Sequence, residues 1–211
     1  MSQESALREQ ICELGRSMYE RGLTPGSSGN ISARIDDGWL MTPTNACLGR
    51  LDPARLTRLD AVGMLTDGDP PTKESFLHQA MYEERPKAGA VVHLHSTHAV
   101  AVSCLADVDA ADVLPPITAY YVMRVGRLPL VPFYLPGDRE LAEAVRKLAS
   151  RHSAVLLANH GPVVAGSNLA NAVYAIEELE ETAKLHLLLQ GHKLRPLTPA
   201  QVQQVLEKFP S

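Results

Sequence analysis

The stretch Ala90-Val91-Val92-His93-Leu94-His95 ends an apolar run with two histidines separated by one residue. Side chains alternate between the faces of an extended strand, so His93 and His95 are expected on one face, roughly 6.5–7 Å apart. Two imidazoles at that spacing can bind one metal ion, whereas without a metal they would gain little and could repel each other when protonated. They could equally be two surface or core histidines that happen to alternate, so a metal site requires further ligands.

The composition is that of an ordinary soluble globular protein. The 211 residues are 45% hydrophobic and 21% charged, and a chain of this size fits one large α/β domain over residues 1–211 that buries about 70% of its unfolded surface. A net charge of −4 gives no support to nucleic acid or an anionic membrane as the main partner.

The cysteines and the N-terminus favour a cytoplasmic location. Cys12, Cys47 and Cys104 are an odd number, widely spaced and without a C-x-x-C pair, which argues against a disulfide framework. Residues 1–10 are too charged for a signal peptide, and no apolar run approaches the length of a membrane span.

Helical and strand patterns interleave along the chain, which predicts a single α/β domain without repeats or linkers. Thr72 is the predicted N-cap of the second helix. The predicted helices cover about residues 4–21, 73–84, 99–105, 138–151, 168–190 and 199–209, and the predicted strands about 31–35, 39–41, 60–66, 90–95, 130–134 and 154–158.

Two more residues can complete a metal site with the first pair. His160 follows a buried strand, at the kind of strand end where α/β proteins commonly build sites. Glu74 lies in the first turn of the second predicted helix, where a carboxylate also has the ordinary explanation of complementing the helix dipole. His78, four residues further on, is a rival ligand. The apolar packing on that helix instead favours a structural role, or a role in supporting the ligands without binding the metal. Three histidines and a carboxylate suit zinc or a similar divalent ion, which can stabilise negative charge on a substrate oxygen.

Three loops have the composition of anion-binding turns. They are Ser27-Ser28-Gly29-Asn30, Thr42-Pro43-Thr44-Asn45 and Thr72-Lys73, and each combines hydroxyl groups with backbone N–H groups. Thr72-Lys73 is also expected at a helix N-terminus, where phosphate is favoured. Any one of these loops could be merely a turn, but together they predict a phosphate site beside the metal.

At these residues the chain resembles the class II aldolase family, the sugar-phosphate aldolases and epimerases of the fuculose- and ribulose-phosphate type. The resemblance implies a single three-layer αβα domain with a central, mostly antiparallel sheet, and a homotetramer with sites near subunit interfaces. It rests on four ordered motifs between about residues 7 and 190: Gly26-Ser27-Ser28-Gly29-Asn30, Thr42-Pro43-Thr44 with Glu74, Val92-His93-Leu94-His95, and Asn159-His160-Gly161.

The resemblance also implies roles for the candidate residues. His93, His95 and His160 would bind Zn²⁺, one ion per subunit, and Glu74 would be both a metal ligand in the resting site and the catalytic acid/base. The implied substrate and phosphate ligands are Ser28, Gly29, Asn30, Thr44, Asn45, Thr72 and Lys73.

Two loops depart from the usual aldolase pattern, because Thr44-Asn45 stands where Thr-Gly is usual and Thr72-Lys73 where Ser-Ser is usual. Lys73 adds a positive charge that suits a phosphorylated acid. The chain also resembles the 3-oxo-tetronate 4-phosphate decarboxylase branch of the family, at Lys73-Glu74, Leu94–Thr97, Tyr120–Val125, Leu128–Pro132, Leu157–Pro162 and Glu177–Lys184. That branch implies loss of CO2 to give dihydroxyacetone phosphate through a metal-stabilised enediolate. Glu74 or Tyr120 would deliver the proton, although Tyr121 is an alternative for the tyrosine and either could simply be a packing residue.

Three other functions stay open on the sequence. The nearest is a sugar-phosphate aldolase or epimerase that uses the same metal. A non-enzymatic scaffold such as the adducin head domain is expected to lose metal ligands, whereas this chain keeps all four. A plain metal-binding or storage protein would bind the ion without affinity for a phosphorylated acid.

Overall fold

A computed structural model describes residues 2–135 and 137–209 of the chain. The helices are α1 (Gln3–Glu20), α2 (Ser75–Glu84), α3 (Thr97–Ser103), α4 (Ala119–Arg124), α5 (Arg139–Ala149), α6 (Leu169–Leu188) and α7 (Pro199–Lys208). The strands are β1 (Asn30–Ile35), β2 (Gly38–Met41), β3 (Thr57–Asp60), β4 (Leu65–Asp67), β5 (Ala90–His93), β6 (Leu130–Val131), β7 (Ala154–Leu157) and β8 (Gly161–Gly166). Short 3-10 turns cover Leu48–Arg50 and Pro53–Arg55.

All eight described strands form one sheet in the order β4-β3-β2-β1-β5-β8-β7-β6. Every neighbouring pair is antiparallel except β6 and β7, which are parallel. Strand β5 therefore lies in the middle, between β1 and β8. The observed sheet confirms the predicted fold class, while the assignment of residues 1–211 to a single domain stays a prediction.

The sheet buries apolar side chains on both faces, as expected for a central layer between helices. Along β5, Ala90 and Val92 belong to one core, together with side chains of α1, α3, α4 and α6. Val91 belongs to the other core, with side chains of α2 and α5. The strand is thus apolar on both sides, which explains why its sequence reads as a continuous hydrophobic run.

The structure corrects the predicted strands in three places. The single strand expected over 60–66 is instead the hairpin of β3 and β4. The strand expected over 130–134 is only Leu130–Val131, and Phe133 and Tyr134 leave the sheet. Strand β8 was not predicted, because Gly161 and Pro162 resemble a strand terminator.

Two helices also differ from the sequence prediction. Helix α4 was not predicted, and its N-cap is Thr118, whose hydroxyl accepts from Tyr121 N at 3.1 Å. Helix α2 begins at Ser75 with Glu74 in the N-cap position, so the predicted Thr72 cap is wrong. Thr72 still contributes locally, because its hydroxyl accepts a 3.3 Å hydrogen bond from Glu74 N.

The described helices are each too short or too polar to traverse a lipid bilayer.

Candidate metal centre

Four side chains that are far apart in sequence meet at the end of the central strands. His93 is the last residue of β5 and His95 follows it, His160 lies in the turn between β7 and β8, and Glu74 precedes α2. One potential ligand atom from each lies within 4.8 Å of all the others. The structure therefore brings together the full set of metal ligands that the sequence predicted.

The atoms that face one another fit the dimensions of a tetrahedral ion site. His95 Nε2 lies 3.0 Å from His93 Nε2 and 3.1 Å from His160 Nε2. Glu74 Oε1 lies 3.2 Å from His160 Nε2, and Glu74 Oε2 lies 3.5 Å from His93 Nε2. Zinc–ligand bonds of 2.0–2.1 Å in a tetrahedron separate the ligand atoms by about 3.3–3.4 Å, so small shifts of these side chains suffice to bind an ion.

Two glycines allow the backbones around the site to approach closely. A side chain at Gly161 would overlap the carbonyl oxygen of Leu94, so only glycine permits the turn that carries His160. Gly29 has φ +79°, and a Cβ atom there would lie 3.0 Å from the carbonyl oxygen of His93. These contacts place the loop before β1 and the turn before β8 directly against β5.

The tautomer of His93 follows from its second nitrogen. His93 Nδ1 lies 2.9 Å from the carbonyl oxygen of Pro162, which can only accept a hydrogen bond. Nδ1 therefore carries the proton, and the neutral ring presents the lone pair of Nε2 to the cluster. A histidine that donates to a backbone carbonyl behind it is a common arrangement for a metal ligand.

Burial disfavours the charged form of two imidazoles of the cluster, those of His93 and His95. Desolvation lowers the pKa of His93 to about 4 and also lowers the pKa of His95. Burial alone would raise the pKa of Glu74, but hydrogen bonds from His160 and Asn30 and the proximity of His93 outweigh it, so this pKa is lowered. The lone pair of His93 Nε2 and the ionised Glu74 carboxylate lie 3.5 Å apart, and a cation between them would relieve their repulsion.

The centre opens into a cleft of about 540 Å3, a volume suited to a small substrate. Glu74, His95 and His160 line it. The remaining lining residues, which sequence reasoning did not single out, are Thr97, Val100, Phe133, Tyr134 and Asn159. Only Asn159 and Thr97 had a usable signal, since they adjoin the histidine motifs, whereas Phe133 and Tyr134 reach the cleft because β6 ends early.

The three predicted anion-binding loops lie beside one another. Pro43 and Pro71 form a bridge between the second and third loops, and Thr44 N donates to Pro70 O at 3.0 Å. The first loop leads into β1, where Ile31 N donates to the hydroxyl of Thr42 at 3.1 Å. The sequence prediction that the loops form one neighbourhood is consistent with these contacts, while their binding of phosphate stays a prediction.

The side chains of these loops differ in how available they are. The Ser28 hydroxyl donates to Pro25 O at 2.6 Å, and the Asn30 amide is engaged by Glu74 and His78. By contrast, Asn45 and Lys73 are exposed. Lys73 directly precedes Glu74, which lines the cleft.

Neither tyrosine of α4 lines this cleft within one chain. Tyr120 is 61% exposed, and Tyr121 is buried in the core that includes α6. The buried position of Tyr121 suits packing, so Tyr120 is the better candidate of the two. Its assignment as a proton donor stays a prediction.

The rival ligand His78 does not join the cluster. It is fully buried, with Nδ1 2.7 Å from the Ser32 hydroxyl and Nε2 2.5 Å from Asn30 Oδ1. Both nitrogens are occupied, so His78 lies behind the ligands rather than among them.

A mostly antiparallel sheet between helices, with three histidines and a glutamate clustered beside a cleft, defines an α/β protein with a candidate metal centre. The chain belongs to the family described as Class II Aldolase and Adducin N-terminal domain, which it matches over residues 9–187.

Individual relatives show how similar the chain is within this family. It is 52% identical to a 3-oxo-tetronate 4-phosphate decarboxylase of Cupriavidus necator over 190 residues, which cover 90% of this chain and 88% of that protein. It is 33% identical to the L-fuculose phosphate aldolase of Escherichia coli over 211 residues, 98% and 95% of the two chains. The crystal structure of Escherichia coli YgbL has a TM-score of 0.95 and 45% identity, covering 97% of this chain and 99% of that chain. These similarities confirm the family predicted from the motifs.

Removal of one ligand should abolish tight metal binding. We expect one Zn²⁺ per chain in the wild type, and an affinity at least ~100-fold weaker for His95→Ala, since loss of an outer partner alone costs 10–100-fold. Competition with a chromophoric chelator measures the affinity. The control is His192→Ala, which alters an exposed histidine outside the cluster. Equal zinc affinity of the His95→Ala variant and the wild type would contradict the assignment.

Acidification should destabilise the metal-free protein partly through His78. Burial lowers the pKa of folded His78 to about 3, against 6.5 for an ordinary histidine. Between these values only the unfolded state binds the proton, so the free energy of unfolding falls as the pH drops from 6.5 towards 3. At pH 5 this residue should contribute a loss of about 2 kcal/mol.

Denaturant unfolding at pH 7.5 and pH 5.0, with a chelator present, tests this linkage. The loss on acidification should be about 2 kcal/mol smaller for His78→Gln than for the wild type. His192→Gln should behave like the wild type. An identical loss in all three proteins would mean that folded His78 takes up the proton as readily as the unfolded chain.

Proposed function

We propose that this protein is a metal-dependent lyase that decarboxylates 3-oxo-tetronate 4-phosphate to dihydroxyacetone phosphate and CO2. The observation that carries the proposal is the convergence of Glu74, His93, His95 and His160, of which all but the buried His93 line one cleft. The choice of reaction is supported by 52% identity to a decarboxylase of this name over 90% of the chain.

The substrate has a ketone at carbon 3, next to the carbon that bears the hydroxyl and the carboxylate. Breaking the bond between carbons 1 and 2 releases CO2, and the electron pair is shared between carbon 2 and the ketone oxygen as an enediolate. Addition of one proton to carbon 2 gives dihydroxyacetone phosphate. A divalent ion bound by the three histidines and Glu74 supplies a Lewis acid that stabilises negative charge on substrate oxygens.

Glu74 is the residue best placed to move the proton. It lines the cleft, and its Oε2 accepts a 2.8 Å hydrogen bond from Asn30 Nδ2 while Oε1 faces His160. A carboxylate fixed on one side can exchange a proton through the other oxygen once a substrate is bound. Tyr120 is the alternative donor, and because it does not line the cleft of its own chain, we propose that it would act from a neighbouring subunit.

Lys73 is proposed to bind the phosphate of the substrate. Lys73 is exposed and lies between Thr72 and Glu74 in the chain, and the Pro43–Pro71 bridge joins this segment to the loop that contains Thr44 and Asn45. Binding the carboxylate instead would stabilise the ground state of the group that must leave, which opposes decarboxylation. Phosphate remains unchanged through the reaction, so binding it tightly carries no such cost.

Several finer properties belong to the same proposal. Zinc is the proposed ion, because three neutral imidazoles and one carboxylate suit it. We also propose a homotetramer, which the family resemblance supports, and a cytoplasmic location, which the three widely spaced cysteines support. We also retain residues 1–211 as a single domain.

The second candidate function is a sugar-phosphate aldolase or epimerase. It is favoured by the 33% identity to L-fuculose phosphate aldolase over 98% of the chain. An aldol cleavage can pass through the same enediolate after a different carbon–carbon bond breaks, so the metal ligands alone do not separate the two reactions.

The reaction is tested by offering the metal-loaded protein 3-oxo-tetronate 4-phosphate and measuring CO2 and dihydroxyacetone phosphate. We expect equal amounts of both products, and a rate at least ~100-fold lower for Glu74→Gln because it loses the acid/base. Near-normal turnover of this variant would remove Glu74 from the chemistry. Cleavage of fuculose or ribulose phosphates without activity on the tetronate would establish the aldolase instead.

Replacement of Lys73 distinguishes phosphate binding from carboxylate binding. For Lys73→Met we expect KM to rise about 10-fold or more with kcat nearly unchanged. The lost charge-assisted contact to the phosphate is made equally in the bound ground state and in the transition state. The matched control is Lys87→Met, an exposed lysine that does not line this cleft. A higher kcat for Lys73→Met would indicate that the lysine holds the departing carboxylate.

A further inference from the structure

A continuous chain of hydrogen bonds runs from the metal centre into the protein interior. It begins at Glu74 Oε2, which accepts from Asn30 Nδ2 at 2.8 Å, and Asn30 Oδ1 lies 2.5 Å from His78 Nε2. His78 Nδ1 lies 2.7 Å from the hydroxyl of Ser32, which lies 2.9 Å from the hydroxyl of Tyr82. Only Glu74 belongs to the predicted metal ligands, and the other four residues of this chain of hydrogen bonds lie behind it.

The direction of every bond in the chain follows from its first member. An ionised carboxylate only accepts, so Asn30 turns its NH2 group to Glu74 and its carbonyl oxygen to His78. His78 Nε2 therefore carries a proton. Burial lowers the pKa of His78 to about 3, so the ring is neutral and Nδ1 accepts from Ser32. The Ser32 hydroxyl is thereby used as a donor, and Tyr82 donates to its oxygen.

The chain is buried along its length, which makes its polarity costly to lose. Asn30, Ser32, His78 and Tyr82 are each at most 4% exposed. A buried donor or acceptor without a partner is destabilising, so a reversal at one link leaves an unfavourable contact elsewhere. A reversed Asn30 amide would place its oxygen against the Glu74 carboxylate, where the two would repel.

We propose that His78 is a positioning residue, which through its Nε2–H group fixes the Asn30 amide so that the amide holds Glu74 in the orientation required at the metal. Ser32 and Tyr82 select the tautomer of His78 from behind. The orientation of the Asn30 amide is a property of the folded protein, whereas its effect on catalysis rests on the proposed role of Glu74.

The arrangement is more specific than packing requires. His78 lies on α2 among Leu77, Ala80 and Met81, which are fully buried apolar side chains. An apolar residue at 78 would fill the same space without burying two ring nitrogens. The two partners of His78 explain why the side chain is polar. Both lie on β1, Asn30 as its first residue and Ser32 two residues further on.

The first test observes the tautomer directly. In the metal-free and the zinc-loaded full-length protein with 15N-labelled histidine, long-range 1H–15N spectra should show His78 neutral with its proton on Nε2. The signal is assigned by its loss in His78→Gln. A proton on Nδ1, or a doubly protonated ring near neutral pH, would overturn the proposal.

The second test compares two substitutions that differ in one donor. His78→Leu removes the Nε2–H group, and we expect zinc affinity and kcat to fall about 10- to 100-fold, the usual effect of losing a partner behind a ligand, with KM changed much less. His78→Gln can place an amide N–H near the Nε2 position and should restore most of both values. His186→Leu, at a partly buried histidine on α6, should leave both unchanged.

The outcomes separate positioning from a merely structural role. Equal damage from leucine and glutamine, or wild-type zinc affinity and kcat in the leucine variant, would overturn the proposal. If His78→Leu does not fold, the tautomer and the values for His78→Gln still decide. If the protein binds zinc but does not decarboxylate the tetronate, the proposed function fails while the tautomer and zinc affinity still test the inference.

Discussion

The pairing of β5 with β1 on one side and β8 on the other is the constraint on which the site depends. In this register Asn30 lies opposite His93 across one strand pair, and Val163 lies opposite His93 across the other. The carbonyl of Pro162, one residue before Val163, then accepts from His93 Nδ1. A slip of one residue on either side would turn the paired side chains to the opposite face and separate the ligands.

The charge of the site explains why one ion can serve both binding and chemistry. As metal ligands the three imidazoles would be neutral and Glu74 would contribute −1, so a divalent ion would leave the centre with a net charge of +1. That charge attracts an anionic substrate, and in a half-buried cleft it is screened less than it would be in water.

The sequence predicted the ligands well because each has a local signature. The alternation predicted over residues 90–95 places His93 and His95 together, although β5 itself ends at His93. The strand end before His160 and the helix start near Glu74 mark turns. Strand β8 was missed for a physical reason. Proline usually argues against a central strand, but Pro162 lies at the first residues of β8, where its carbonyl accepts from His93 Nδ1 and Leu94 N. Likewise, no local pattern brings Phe133 or Tyr134 to the cleft, because their position depends on where β6 ends.

His78 and His93 show why burial and charge alone do not identify a ligand. Both are fully buried, and burial lowers the pKa of each well below that of an ordinary histidine. The two histidines differ in the hydrogen-bond partners of their ring nitrogens. His93 gives its Nδ1 proton to a carbonyl and leaves Nε2 facing other ligand atoms, whereas both nitrogens of His78 have partners that complete their hydrogen bonds. The lone pair of His93 Nε2, set by a carbonyl 69 residues away in the chain, leaves this histidine able to bind an ion, whereas both nitrogens of His78 are already occupied.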